Sequence, residues 1–172
     1  MKVVFLDRDG VINQDVGYLH KSKNFNFIAG IFEACKYFQS LGFKLIIVTN
    51  QSGIHRGYYQ ETDFHLLTEW MLGQFYNQHI NILDVFFCPH GPNATCKCRK
   101  PKPGMLLNAR DKYKIDMAKS WMIGDKESDI EAAKAAGVNK TILLKSGHSD
   151  EGKSSKAKFV LESIKESIQF VT

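Results

Sequence analysis

The chain has 172 residues, 44% of them hydrophobic and 24% charged, which fits one globular domain spanning 1–172 and excludes disordered, collagen-like and coiled-coil chains. Lysines and arginines outnumber acids 23 to 18, a net +5; this permits an anionic partner, nucleic acid or phosphorylated small molecule, without choosing between them. No run reaches the roughly 18 apolar residues of a membrane span, and Lys2 and Asp7 fall where a signal peptide would be apolar, so a cytosolic protein with reduced thiols and no membrane partner is expected.

In chain order, Lys2–Leu6 is a short, continuous apolar run, as expected of a strand buried on both faces. Ile31, Ala34, Cys35 and Phe38 then repeat at helical spacing until Gly42 ends the helix, which makes Cys35 a core thiol. Lys44–Val48 is a second strand, and Phe64, Leu67, Met71 and Phe75 mark a second helix. Asp84–Phe87 is a third strand, followed by a helix opened by Pro103, where a missing N–H costs nothing. Next come strand Trp121–Ile123, helix Glu127–Ala136 closed by Gly137, and strand Thr141–Leu144. Ser146–Lys156 is expected to be a surface loop, Phe159–Leu161 a short sixth strand and Ser163–Gln169 a last helix. Strand–helix alternation predicts an α/β, Rossmann-like fold of three layers around a parallel sheet. Ligands in such sheets bind beyond the carboxyl ends of the strands.

The chemistry-bearing residues fall at those ends. The first strand leads into Asp7-Arg8-Asp9-Gly10, where two carboxylates could jointly hold a divalent metal or divide into nucleophile and acid–base; a polar turn is the bland alternative. The second leads into Thr49-Asn50-Gln51-Ser52-Gly53, a hydroxyl and amides suited to phosphate oxygens or simply a capped turn. Arg99-Lys100-Pro101-Lys102 puts cations before a helix N-terminus, which itself favours anions. The fourth strand leads into Gly124-Asp125-Lys126-Glu127-Ser128-Asp129, with Asp129 one helical turn after Asp125. Between the third strand and the cations, Cys88, His90, Cys96 and Cys98 supply three thiolates and an imidazole, a complete tetrahedral set for structural Zn²⁺ with no open position. Cys98 directly precedes Arg99 and Lys100, so a metal there would fix the loop that carries both cations.

The ordered series DRDGVIN, VTNQSG, CRKPKPGM and GDKESD resembles the haloacid dehalogenase (HAD) superfamily of phosphotransferases over nearly the whole chain. Within it the chain looks most like the heptose 1,7-bisphosphate phosphatase family, with histidinol phosphatases as near relatives. The resemblance implies Asp7 as nucleophile, Asp9 as general acid–base, and Thr49 and Lys100 as holders of the transferring phosphoryl group. It implies Mg²⁺ on the Asp7 and Asp125 side chains and the Asp9 carbonyl, with Lys126 and Asp129 in support. Thr49 to Ser52, Arg99, Lys100 and the flap Asp15-Val16-Gly17-Tyr18 would meet a phosphorylated sugar; Lys102 competes with Lys100 by position, and Arg56 is a further candidate.

Neither the stretch from Gly10 to Ile31 nor that from Gly53 to Asp84 has room for a large cap domain. The expected enzyme is an open-sited, monomeric phosphatase of nucleotide-activated heptose synthesis, serving lipopolysaccharide or related glycans. Only five residues separate His90 from Cys96, a short spacing that histidinol phosphatases share, so histidinol phosphate is the alternative substrate. A zinc-knuckle nucleic-acid binder is the remote alternative; Lys97 to Lys102 contains no aromatic residue for stacking on bases.

Overall fold

The computed structural model of the protein describes residues 1–145 and 154–172. Six parallel strands, β1 (Val3–Leu6), β2 (Lys44–Asn50), β3 (Ile82–Cys88), β4 (Trp121–Gly124), β5 (Lys140–Leu144) and β6 (Phe159–Leu161), form one sheet in the order β3-β2-β1-β4-β5-β6. The helices are α1 (Ile31–Ser40), α2 (Ser52–His55), α3 (Glu61–Asn77), α4 (Gly104–Tyr113) and α5 (Glu127–Ala135). None of the described helices is long and apolar enough to cross a membrane.

Alternate side chains of each strand face opposite layers, so the central strands must be apolar throughout. Val4, Leu6, Leu45, Ile47 and Ile123 pack with Ile31, Cys35 and Phe38 of α1 and Leu67, Met71 and Phe75 of α3. Val3, Phe5, Ile46, Val48 and Met122 pack on the other side with Met105, Leu106 and Ala109 of α4 and Ala132 and Ala133 of α5. The result is the expected three-layer α/β arrangement around a parallel sheet, with no large cap among the described residues.

Several boundaries differ from expectation for local reasons. β2 runs two residues further, to Asn50, because Thr49 and Asn50 pair with Phe87 and Cys88 of β3. One-turn α2 has no periodicity to betray it, since it is shorter than the pattern it would have to repeat. The final helix is a 3₁₀ segment, Ile164–Gln169, where the Ser167 hydroxyl donates to the Ile164 carbonyl three residues back, favouring the tighter winding. Of the expected Ser146–Lys156 loop, residues 146–153 lie outside the described residues; Ser155 and Lys156 bond Glu127 and Glu131 of α5.

The chain grows from β1 through β2 to β3 on one side, then crosses to β4 on the other side of β1. Between β1 and β4 the direction of growth reverses, and such a switch point opens a crevice at the strand ends. Asp7 and Asp125, which follow those two strands, share it.

Candidate active site

At the floor of the crevice, Lys100 Nζ lies 3.0 Å from Asp7 Oδ1 and 2.7 Å from Asp129 Oδ1, and donates to the Val48 carbonyl at 2.8 Å. All three ammonium hydrogens therefore have acceptors. Asp129 Oδ2 accepts the Asp125 and Lys126 N–H groups at 3.1 and 3.0 Å, tying the first turn of α5 to the end of β4. Two glycines make this crowding possible: a Cβ on Gly10, whose φ is +87°, would sit 2.1 Å from Asp125 Oδ2, and one on Gly124 would sit 2.3 Å from Asp129 Cβ.

The floor carries more buried negative charge than one lysine balances. Burial, reinforced by Asp129, pushes Asp7 up to about 7 despite Lys100. Burial, then Asp7 and Asp129, pushes Asp125 up to about 9. Burial alone would lower Lys100, but Asp129 and Asp7 outweigh it and hold the ammonium above its usual range. Asp125 is 1% exposed and neither carboxylate oxygen has a hydrogen-bond partner. Buried, unpartnered acceptors are costly and call for a ligand. Asp7, Asp125 and Asp129 each offer an oxygen within 4.8 Å of the others, a hard-donor set that fits Mg²⁺.

Asp9 sits above the floor with a dense set of donors. Its Oδ1 accepts from Arg8 Nη2 and Asn13 Nδ2, both at 3.0 Å, and its Oδ2 accepts from Gln51 Nε2 at 3.2 Å. Gln51 Nε2 also donates to Thr49 Oγ1 at 2.9 Å, and the Tyr59 hydroxyl donates to Gln51 Oε1. Burial pushes the Tyr59 phenol up to about 12, which keeps it a donor. Arg8 is 2% exposed, and its Nε and Nη1 have no partner.

A cavity of about 630 Å³ opens over this floor. Asp7, Asp9, Asp15, Gly17, Tyr18, Gln51, Ser52, Arg99, Lys100, Lys126 and Asp129 of the expected site line it, whereas Thr49 and Asp125 lie buried beneath. Val16, 56% exposed, turns away from it. Asn50 borders the cavity with its amide engaged on the Lys100 backbone, donating to the carbonyl at 3.1 Å and accepting the N–H at 3.0 Å. The amides of Asn50 and Gln51, expected as open phosphate donors, thus both bind protein groups. Lys102 points away from the carboxylates, donating to the Cys96 carbonyl at 2.6 Å. Arg56 joins the rim, its guanidinium 5.8 Å from the Tyr18 ring, and Lys126 faces Asp15 across the mouth at 3.6 Å. Tyr59 and Asn13 were not expected in the site. Tyr59 lies outside every strand-end motif, and no sequence signal marks it. Asn13 stands within DRDGVIN, where its spacing from Asp9 was the available clue.

The thiols and imidazole of the loop converge as their spacing predicts. Cys88 Sγ is 3.0 Å from Cys98 Sγ and 3.8 Å from Cys96 Sγ, and His90 Nδ1 is 3.4 and 3.2 Å from Cys88 and Cys98 Sγ. Tetrahedral zinc with bonds of about 2.3 Å to sulfur has S···S edges of about 3.8 Å, so a small shift of Cys98 completes the cage. The same loop carries Arg99, whose Nη1 donates to the His90 carbonyl at 3.3 Å.

The HAD-hydrolase-like family model matches residues 97–167. The chain is 47% identical over 172 residues to a D-glycero-beta-D-manno-heptose-1,7-bisphosphate 7-phosphatase of Vibrio cholerae, covering 95% of this chain and 92% of the relative. It is 46% identical over 155 residues to a D-glycero-alpha-D-manno-heptose-1,7-bisphosphate 7-phosphatase of Photorhabdus laumondii, covering 86% and 85%. A crystal structure of the D,D-heptose 1,7-bisphosphate phosphatase of B. bronchiseptica, complexed with magnesium and phosphate, matches with a TM-score of 0.88 at 30% identity, over 98% of this chain and 97% of that one.

Proposed function

The chain belongs to the heptose-1,7-bisphosphate 7-phosphatase family of HAD-like hydrolases, and we propose that it removes the 7-phosphate from a D-glycero-D-manno-heptose 1,7-bisphosphate through an aspartyl-phosphate. The observation that carries this reading is the floor itself: Asp7 beside Lys100, with the unpartnered Asp125 carboxylate buried next to it.

The Asp7 carboxylate attacks phosphorus and the bond from phosphorus to the sugar oxygen breaks. Asp9 gives its proton to that departing oxygen, then takes one from the water that attacks the aspartyl-phosphate, returning Asp7 as a carboxylate. Lys100 turns its hydrogens toward the phosphoryl oxygens as their charge redistributes, and the Thr49 hydroxyl, accepting from Gln51, keeps its own hydrogen to donate. Bound by Asp7, Asp125 and the Asp9 carbonyl, with Lys126 and Asp129 in support, Mg²⁺ would offset the mutual repulsion of carboxylate and phosphate. Zn²⁺ on Cys88, His90, Cys96 and Cys98 would fix the loop that delivers Arg99 and Lys100. Arg99 and the rim from Asp15 to Tyr18 meet the rest of the sugar, whose second phosphate suits a planar guanidinium. The protein acts as a cytosolic monomer on a small molecule; its site cations gather at one cavity rather than along a face suited to a polymer.

Phosphate release should be measured from the α and β 1,7-bisphosphates and from histidinol phosphate, since relatives of both anomeric names are similarly identical. One bisphosphate should exceed histidinol phosphate in kcat/KM by at least about 10²-fold, the scale at which pocket contacts discriminate. Asp7→Asn should lower kcat by about 10⁴-fold or more while circular dichroism shows the fold retained, as removal of a nucleophile does. Preference for histidinol phosphate would overturn the substrate, and a loss in Asp7→Asn of less than about 10²-fold would overturn the nucleophile.

A further inference from the structure

We propose that Tyr59, acting through Gln51, is a positioning residue for the acid–base Asp9, and that with Arg8 and Asn13 it fixes Asp9 Oδ2 as the atom that carries the proton. The inference rests on the assignment of Asp9 as general acid given above.

Hydrogen-bond accounting at Asp9 makes its two oxygens unequal. Oδ1 accepts two donors at 3.0 Å, one of them the Arg8 guanidinium. A neighbouring cation and two filled lone pairs localise negative charge on that oxygen. Oδ2 accepts one neutral donor at the longer distance of 3.2 Å and keeps a lone pair directed elsewhere. When Asp9 is in its acid form, Oδ2 is the oxygen free to hold the hydrogen and release it.

The orientation of Gln51 decides whether this holds. A carboxamide turned through 180° would present its oxygen to Asp9 and repel it. The Tyr59 hydroxyl prevents that by donating to Oε1, which leaves both Nε2 hydrogens for Asp9 Oδ2 and Thr49 Oγ1. Tyr59 cannot easily shift. Its ring stacks on His20, just past the flap, at 5.0 Å between centroids, and it lies so close to Gly53 that a Cβ there would meet it at 2.2 Å. Arg8 is anchored to the neighbouring residue, donating to the Leu19 carbonyl at 3.0 Å. Both constraints on Asp9 are therefore referred to Leu19 and His20, adjacent residues just past the flap, with no large cap among the described residues to close over the acid.

A substrate with a poor leaving group needs the proton, whereas p-nitrophenyl phosphate releases a phenolate that departs without one. In the zinc-loaded, Mg²⁺-supplemented full chain, Tyr59→Phe should lower kcat for the heptose bisphosphate about ten-fold, with KM changed less than about three-fold. That loss is the size expected from one neutral hydrogen bond. Read as kcat/KM, which ends at formation of the aspartyl-phosphate and so excludes the hydrolysis step both substrates share, the value for p-nitrophenyl phosphate should fall less than about three-fold, so the ratio of the two rates moves. A merely structural role would lower both rates together and leave their ratio fixed, and that result overturns the proposal, as does an unchanged kcat on the bisphosphate. Asp9→Asn serves as the reference: it should move the same ratio further. If it moves the ratio and Tyr59→Phe does not, the relay fails while the assignment of Asp9 stands. If Asp9→Asn leaves the ratio fixed, the assignment of Asp9 fails and the relay with it. A melting temperature for Tyr59→Phe confirms that the compared proteins are folded.

Discussion

Before any cation binds, the carboxylates at the crevice floor make stability depend on pH, and Asp125→Asn isolates the largest contributor. Burial, with the Asp7 and Asp129 charges, raises Asp125 from 3.8 to about 9 in the folded chain. Between those values the folded chain holds a proton that the unfolded chain has released. The unfolded state then binds fewer protons, so stability falls as pH rises, by about 1.4 kcal/mol per pH unit for one proton. This stability is fully present below the unfolded value near 3.8 and is lost as pH climbs through the folded value. Asparagine has no such proton, and other titrating groups largely cancel between the two proteins. From pH 5 to pH 8 the variant should therefore gain about 4 kcal/mol relative to the parent. At about 2–4 °C per kcal/mol for a domain of this size, that is a relative rise of about 8–16 °C in melting temperature. Differential scanning calorimetry in Mg²⁺-free buffer, with zinc retained, reads it directly. Added Mg²⁺ should raise the parent's melting temperature more at pH 8 than at pH 5, because the cation displaces the proton. A parent-to-variant difference that stays flat across this range would refute the reasoning.

Lys100→Met removes the counter-charge from Asp7 and Asp129; without Mg²⁺ it should cost about 3–5 kcal/mol, or about 6–20 °C by calorimetry, and a drop below about 2 °C would contradict the buried pairing. Cys98→Ser should reduce bound zinc below one per chain by atomic spectroscopy and lower kcat/KM about 10–100-fold, the effect of loosening a metal-fixed loop; full activity after zinc loss would separate the loop from catalysis. Asn50→Ala deletes both hydrogen bonds to the Lys100 backbone and should cost about 2 kcal/mol, with kcat falling more than KM in steady-state assays; an equal rise in KM with kcat unchanged would place Asn50 in substrate binding instead.

Legibility tracks how local the controlling physics is. β1, β2 and β4 are buried on both faces, so their residues had to be continuous apolar runs, and the carboxyl ends of those runs located Asp7 and Asp125 directly. The cysteine–histidine loop is equally plain because three thiols and a histidine within eleven residues have few other uses. β3 runs Ile82–Cys88, longer than the expected Asp84–Phe87, because it lies at the sheet edge, half-buried, where apolar patterning weakens. What sequence could not supply was the destination of each amide. Asn50 and Gln51 stand where phosphate donors belong, yet one binds the backbone fifty residues away and the other is turned by Tyr59. Tyr59 itself enters no motif, since its role depends on its packing against Gly53 of α2 and on His20, distant in sequence. The Lys100 and Lys102 choice was likewise tertiary: two residues apart in sequence, one ammonium reaches the buried carboxylates and the other the carbonyls of the cysteine loop. Strand ends thus specify which residues gather at the crevice. The hydrogen-bond partners waiting there set how each is aimed, and with no large cap among the described residues that aiming has to be built into the floor and flap before substrate arrives.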